Sequence, residues 1–131
     1  MQMSWLSFLA IAVGASLGAW CRWGLGAWLN PVMPSLPLGT LAANLTGGLL
    51  IGVLLEGFSR GGVPVEVRLM LITGFMGALT TFSTFSAEIV SAVRRSDYLW
   101  ALAGVGAHVL GSLLMTAMGM ALALWAMSGR A

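Results

Sequence analysis

Charge is what this chain lacks. Only 8% of its 131 residues are charged, and none is a lysine: six arginines stand against four acids. A soluble domain carries about 25% charged residues. A chain this short cannot hide a 59% hydrophobic composition in one core. These two facts exclude a soluble globular protein, a disordered tail and an acidic or basic binding arm. A formal charge of +2 is too weak for a basic patch, so no nucleic-acid partner is expected. The single cysteine, Cys21, excludes an intrachain disulfide and a metal–thiolate cluster. It reads as a small residue packing between helices. No Ser/His/Asp or zinc-ligand spacing occurs, so no enzyme is expected.

What is present is apolar length. The mean hydropathy is +0.95, and residues 1–21, 23–55, 69–87 and 98–129 form four runs without charge. A helix crosses the hydrocarbon core with about 20 apolar residues. Asn30, Pro31, Pro34 and Pro37 split the second run with a loop near 30–37. The spans expected are then about 4–29, 38–58, 66–94 and 98–127, making an all-α membrane protein of one four-helix domain, 1–131. No internal repeat or low-complexity segment interrupts it. The first run lacks the positive segment of a signal peptide, and Trp20 directly before Cys21 argues against lipoprotein cleavage.

The arginines divide evenly. Four spans place both termini and the middle loop on one side, with Arg60, Arg68 and Arg130; Arg22, Arg94 and Arg95 belong to the other. Three against three gives the positive-inside rule almost nothing to act on. Either something other than local arginines fixes the orientation, or the chain inserts both ways; dual topology would give an antiparallel homodimer about a two-fold axis in the membrane plane. Four helices leave little room for an aqueous path within one bundle, so a conduit belongs between subunits. Gly14-x-x-x-Gly18 and Gly48-x-x-x-Gly52 are close-packing patterns that let helix backbones approach.

Polar groups inside a membrane are costly unless paired, which singles out three places. Thr80-Thr81-Phe82-Ser83-Thr84-Phe85-Ser86 concentrates hydroxyls that compete for backbone hydrogen bonds, just after Gly74 and Gly77. That mixture predicts a break in the third helix, with freed carbonyls that a small cation could satisfy. Phe82 and Phe85, three apart, share one face. Asn44 lies early in the second helix, where its carboxamide could bond a neighbouring helix or donate to an anion. Gly104, His108, Ser112 and Thr116 recur every four residues on one face of the fourth helix; His108 reads as a neutral hydrogen-bonding group. Glu88 falls about 12 Å beyond Thr80 at 1.5 Å per residue, near the membrane interface. The charge-free runs contain no carboxylate for proton coupling. Hydroxyls, an amide and positive ring edges suit a small, hard, strongly hydrogen-bonding anion better than a cation.

At these residues the chain resembles the Fluc/CrcB fluoride channel family. The segment Gly74-Phe75-Met76-Gly77-Ala78-Leu79-Thr80-Thr81-Phe82-Ser83-Thr84-Phe85-Ser86-Ala87-Glu88 is similar to the family's third-helix pattern, with Ala78 where a second glycine is common. Gly39-Thr40-Leu41-x-x-Asn44-x-x-Gly47 and Gly14-x-x-x-Gly18-x-x-x-Arg22 match two further motifs. The resemblance implies a passive, selective fluoride channel in a prokaryotic inner membrane that exports cytoplasmic fluoride and lowers its toxicity. Its homodimer would hold two pores, each lined by both subunits. Phe82 and Phe85 would contact fluoride by ring edges and Asn44 would donate to it. His108, Ser112 and Thr116 would form a polar track, with Ser83 and Thr84 beside the rings. Arg22 and Glu88 would serve a vestibule or helix end. The carbonyls of Gly77 and Thr80 would hold a structural Na⁺ shared by the subunits. The rival reading is a small dual-topology, proton-coupled multidrug exporter.

Overall fold

The computed structural model describes residues 4–129; Arg130, counted in the orientation tally, lies outside them. Four helical spans are long and apolar enough to cross a membrane: Trp5–Val32, Leu38–Ser59, Val65–Arg94 and Tyr98–Ser128. Their ends lie close to those expected from the charge-free runs, and the fold is that of a multi-pass, all-helical membrane protein. Helix α1 (Trp5–Leu29) starts at Ser4, whose extended backbone and side-chain oxygen take the Ser7 amide, an N-cap. A single 3₁₀ turn, Asn30–Val32, follows.

Pro37 precedes α2 (Leu38–Ser59) and provides no cap of its own. Asn30 supplies it from eight residues upstream of the helix: its Oδ1 accepts from the Gly39 and Thr40 amides at 2.8 and 3.2 Å. Gly61 and Gly62, both at φ +80°, turn the chain in the left-handed region that glycine enters without penalty.

The third span is composite. A short α3 (Val65–Arg68) leads into an eight-residue π-helix, Leu69–Met76, then α4 (Gly77–Leu79). Thr80 and Thr81 are extended, at ψ 152° and 110°, and α5 (Phe82–Arg94) resumes the span. The break expected from the hydroxyl run is there, and it falls on the run's first two residues. The π-helix was not expected. Here the third span presses against α1 backbone to backbone: a Cβ on Gly14 would meet the Met70 carbonyl oxygen, and one on Gly18 that of Phe75. From the other side, a Cβ on Gly74 would come 2.6 Å from the Ile11 carbonyl oxygen. Helix α5 ends at Ser96 (φ 63°), with the Asp97 amide closing on Ala92 at 2.9 Å, and α6 (Tyr98–Ser128) completes the bundle.

Large apolar side chains point outward: Trp5, Trp20, Leu99, Leu114 and Trp125 are among the most exposed. Most residues buried between helices are small, as with Ala43, Ala92, Ala101 and Ala123; Met76, Leu79 and Phe85 are larger. Lipid is as apolar as leucine, so close backbone packing rather than burial of bulk holds such helices together. Cys21 is the exception to expectation. It is exposed, because the face of α1 that meets the third span runs Gly14–Gly18 and on to half-buried Arg22, leaving Cys21 to its side.

Candidate functional site

The break in the third span and its partners on α2 and α6 build the site. Thr80 and Thr81 leave the helix; the Thr80 amide still reaches the Met76 carbonyl at 3.0 Å, but the Thr81 amide and carbonyl need partners from elsewhere. Asn44 of α2 provides them. The Thr81 amide donates to Asn44 Oδ1 at 2.7 Å, and Asn44 Nδ2 donates back to the Thr81 carbonyl at 3.1 Å. The carboxamide thereby pairs with both backbone groups of one extended residue, as a neighbouring strand would. The second Nδ2 hydrogen points to His108 Nδ1 on α6, 3.0 Å away. An NH₂ group can only donate, so His108 Nδ1 is the acceptor and the neutral ring carries its proton on Nε2.

From His108 an aromatic series runs outward. The buried His108 ring lies 4.7 Å from that of Phe85, tilted by 32°. Phe85 meets Phe82 edge-on at 5.4 Å and 60°. Phe85 is 8% exposed and Phe82 77%, so the series starts inside the chain and ends on its outer surface.

Thr81 also caps α5. Its Oγ1 accepts from the Thr84 amide at 3.1 Å, donates to Thr84 Oγ1 at 2.9 Å and lies 3.2 Å from Ser83 Oγ. The diversion of the Thr81 and Thr84 amides has a consequence upstream. In an unbroken helix they would close on the carbonyls of Gly77 and Thr80. Here they go to Asn44 Oδ1 and Thr81 Oγ1 instead. Gly77 is exposed, and the space where its side chain would be is open, with the nearest atom 3.9 Å away. Two neutral carbonyl oxygens freed of their helical amides are the donor type a hard, small cation takes. Among the described residues, no cluster of His, Cys, Asp or Glu could hold a metal.

A cavity of about 550 Å³ gathers Asn44, Phe82, Phe85, His108 and Ser112 with Gly77, Thr80 and Thr81. Its lining contains no charged side chain. The remaining residues expected at the site are placed around it. Ser83 and Thr84 are exposed beside the α5 cap. Thr84 lines a second cavity, of about 280 Å³, with Arg22, Asn30, Thr40 and Thr81. Thr116 lies one turn beyond Ser112 and donates back to its carbonyl at 2.9 Å. Glu88 is outside the main cavity, where Thr40 Oγ1 donates to its carboxylate at 2.6 Å. Among the described residues the one ion pair is Arg95–Asp97, at the surface.

Two participants were not singled out from sequence. Thr81 is the hub of the break, and a threonine opening an apolar helical run is an N-cap signature that could have marked it. Thr40, buried and paired with Glu88, carried no such signal.

Residues 9–120, from α1 well into α6, match the family model described as CrcB-like protein, Camphor Resistance (CrcB). The chain belongs to the CrcB family. The CrcB match takes in every site residue named above. Three relatives, each called Fluoride-specific ion channel FluC, are similar over most of their length. That of Nitrosospira multiformis is 52% identical over 94% of this chain and 97% of its own. That of Pseudomonas putida is 57% identical over 88% and 91%. That of Thiobacillus denitrificans is 54% identical over 86% and 92%.

Proposed function

We propose that this CrcB chain is a passive fluoride channel, and that the cavity joining Asn44 to the Phe82–Phe85–His108 series is part of its path. One observation carries the reading. The cavity offers amide, hydroxyl and ring-edge donors and no carboxylate. Fluoride gives up a tight hydration shell only where donors replace it, and sites too strong would not release it. Both Asn44 N–H groups are committed, to Thr81 and His108. Fluoride would therefore borrow one of them, and His108 Nδ1 would lose its donor while the ion passes. Such exchange keeps each site neither empty nor too deep. Ser112 offers the next hydroxyl along α6, with Thr116 beyond it; Ser83 and Thr84 lie beside the rings. Arg22, in the cavity shared with Thr84, supplies a positive charge near the mouth of the path.

A second copy of the chain completes the site. Phe82, Ser83, Thr84 and Gly77 are exposed along the middle of a span, where lipid would leave the Gly77 carbonyl without a partner and the hydroxyls without water. An antiparallel homodimer would cover them, which the even arginine distribution permits. The Gly77 and Thr80 carbonyls would then bind a structural Na⁺ between subunits, whose charge supplies a positive reference at the dry centre. The rival, a proton-coupled multidrug exporter, needs a carboxylate on its substrate path. Glu88, the acid closest along the third span to its break, is instead held by Thr40, away from the cavity.

In the cell, fluoride enters as neutral HF from acidic surroundings, ionises and is trapped; a passive anion path lets it leave. Expression in a fluoride-sensitive bacterium lacking its own exporter tests this. Cells carrying the chain should retain less fluoride, read by electrode after lysis, and grow at concentrations that stop the parent. Equal retention with the protein present in the membrane would defeat the reading. Tags on either terminus, probed from both sides, should report both orientations; one orientation alone would remove the antiparallel dimer.

A further inference from the structure

We propose that Thr81, with Asn44, is a positioning residue for the cation: their oxygens create the carbonyl pair that binds it. This rests on the reading that Gly77 and Thr80 hold Na⁺, and it assigns the cause of their availability. A carbonyl within a helix is occupied by the amide four residues on. For Gly77 that amide is Thr81's, and it is drawn 2.7 Å from Asn44 Oδ1. For Thr80 it is Thr84's, which lies 3.1 Å from Thr81 Oγ1. Neither side-chain oxygen touches the cation. Each acts by removing a competitor for it.

The arrangement is set against relapse into helix. Thr80 turns its own hydroxyl back to the Met76 carbonyl at 2.8 Å, so α4 is closed off at its last turn. Thr81 is extended and 6% exposed, and the methyl of Thr80 fills the space over Gly47, where a Cβ would collide with Thr80 Cγ2. With the Thr81 hydroxyl gone, the Thr84 amide has no cap, and a return of Thr81 to helical geometry would bring it to the Thr80 carbonyl. The cation must then compete with an amide for its ligand. Asn44 consequently does two jobs with two ends of one carboxamide. Oδ1 sustains the break and the cation site, whereas Nδ2 faces His108 and the anion path.

The test separates the hydroxyl from the shape of the side chain. Thr81→Val keeps the volume and removes the oxygen; Thr81→Ser keeps the oxygen. The purified protein in detergent is melted across a Na⁺ titration at constant ionic strength, with N-methylglucamine as the replacing cation. The wild type should gain stability with Na⁺, and Thr81→Val should need about tenfold more Na⁺ for half the gain, the size of effect one hydrogen bond carries. Thr81→Ser should titrate like the wild type. Loss of an N-cap alone would lower the melting temperature equally at every Na⁺ concentration and leave the midpoint unmoved, and that result would overturn the proposal. If Thr81→Val does not fold, Thr81→Ala, which removes the same oxygen with less bulk, decides the matter and should show the same shift. An unshifted Na⁺ midpoint in folded Thr81→Ala would also overturn it. A wild type indifferent to Na⁺ would instead remove the cation site itself, an outcome distinct from an unshifted midpoint in Thr81→Val.

Discussion

Helices α2 and α6 run side by side, yet the two halves of their seam are held differently. At Gly48, Gly52 and Gly119 the backbones touch: a Cβ on Gly52 would meet the Thr116 carbonyl oxygen, and one on Gly119 that of Leu49. At Asn44 and His108 the contact is a single 3.0 Å hydrogen bond between side chains, with the cavity opening beside it. The glycine half gives affinity between helices without chemistry. The polar half leaves space, and fills its edge with groups that can exchange partners. One pair of helices therefore clamps at one end and stays adaptable at the other, and the rigid half fixes where the adaptable groups stand.

The largest expected effect lies in the glycine half. Gly52→Leu would drive a side chain into the Thr116 backbone, a contact that no rotamer relieves. Overpacking costs about 1–3 kcal/mol even where side chains can yield, so this variant should lose folded protein altogether, seen as aggregation on size exclusion. A normal elution profile would mean the seam is looser than described. In the polar half Asn44→Asp should fold and instead cut fluoride flux by about a thousandfold, because a carboxylate near the ion costs roughly 4 kcal/mol at 4 Å in a medium of effective dielectric constant 20. Normal flux from a folded protein would take Asn44 off the path. Phe82→Ile retains bulk and removes the ring edge; it should slow fluoride up to about tenfold, the upper range for aromatic-edge interactions. Unchanged flux would reduce Phe82 to a packing residue. The smallest change is His108→Leu. It orphans one Asn44 N–H and should lower stability by about 1–3 kcal/mol, read as a shift in melting temperature. If it melts like the wild type, the hydrogen bond at 3.0 Å contributes nothing.

The two halves also differed in how plainly the sequence announced them. Gly48-x-x-x-Gly52 is a local pattern, and the spans follow from where charge is missing, so both could be read directly. The break was legible because hydroxyls crowd Thr80–Ser86, and their competition with the backbone is a local effect. The hold of Asn44 on Thr81 was not. It joins a side chain to a peptide group 37 residues away, and peptide groups look alike at every position. The same holds for Thr40 and Glu88, 48 residues apart. The π-helix at Leu69–Met76 escaped for a third reason. Its sequence is an ordinary apolar run, and the close approach of α1 at Gly14 and Gly18 belongs to the packing. Cys21 shows the limit from the other side: small size suggested a helix contact, yet the glycines beside it had already taken that face.

The central claim is that the adaptable half of the seam passes fluoride and little else. Liposomes loaded with fluoride and chloride and carrying the purified protein, with two ion-selective electrodes read in parallel after valinomycin is added, test it most directly. Fast fluoride release with chloride retained is expected, and fluoride retained as well when Asn44→Asp replaces the wild type. Chloride leaving at the same rate as fluoride, or no fluoride release from protein shown to be folded, would contradict it.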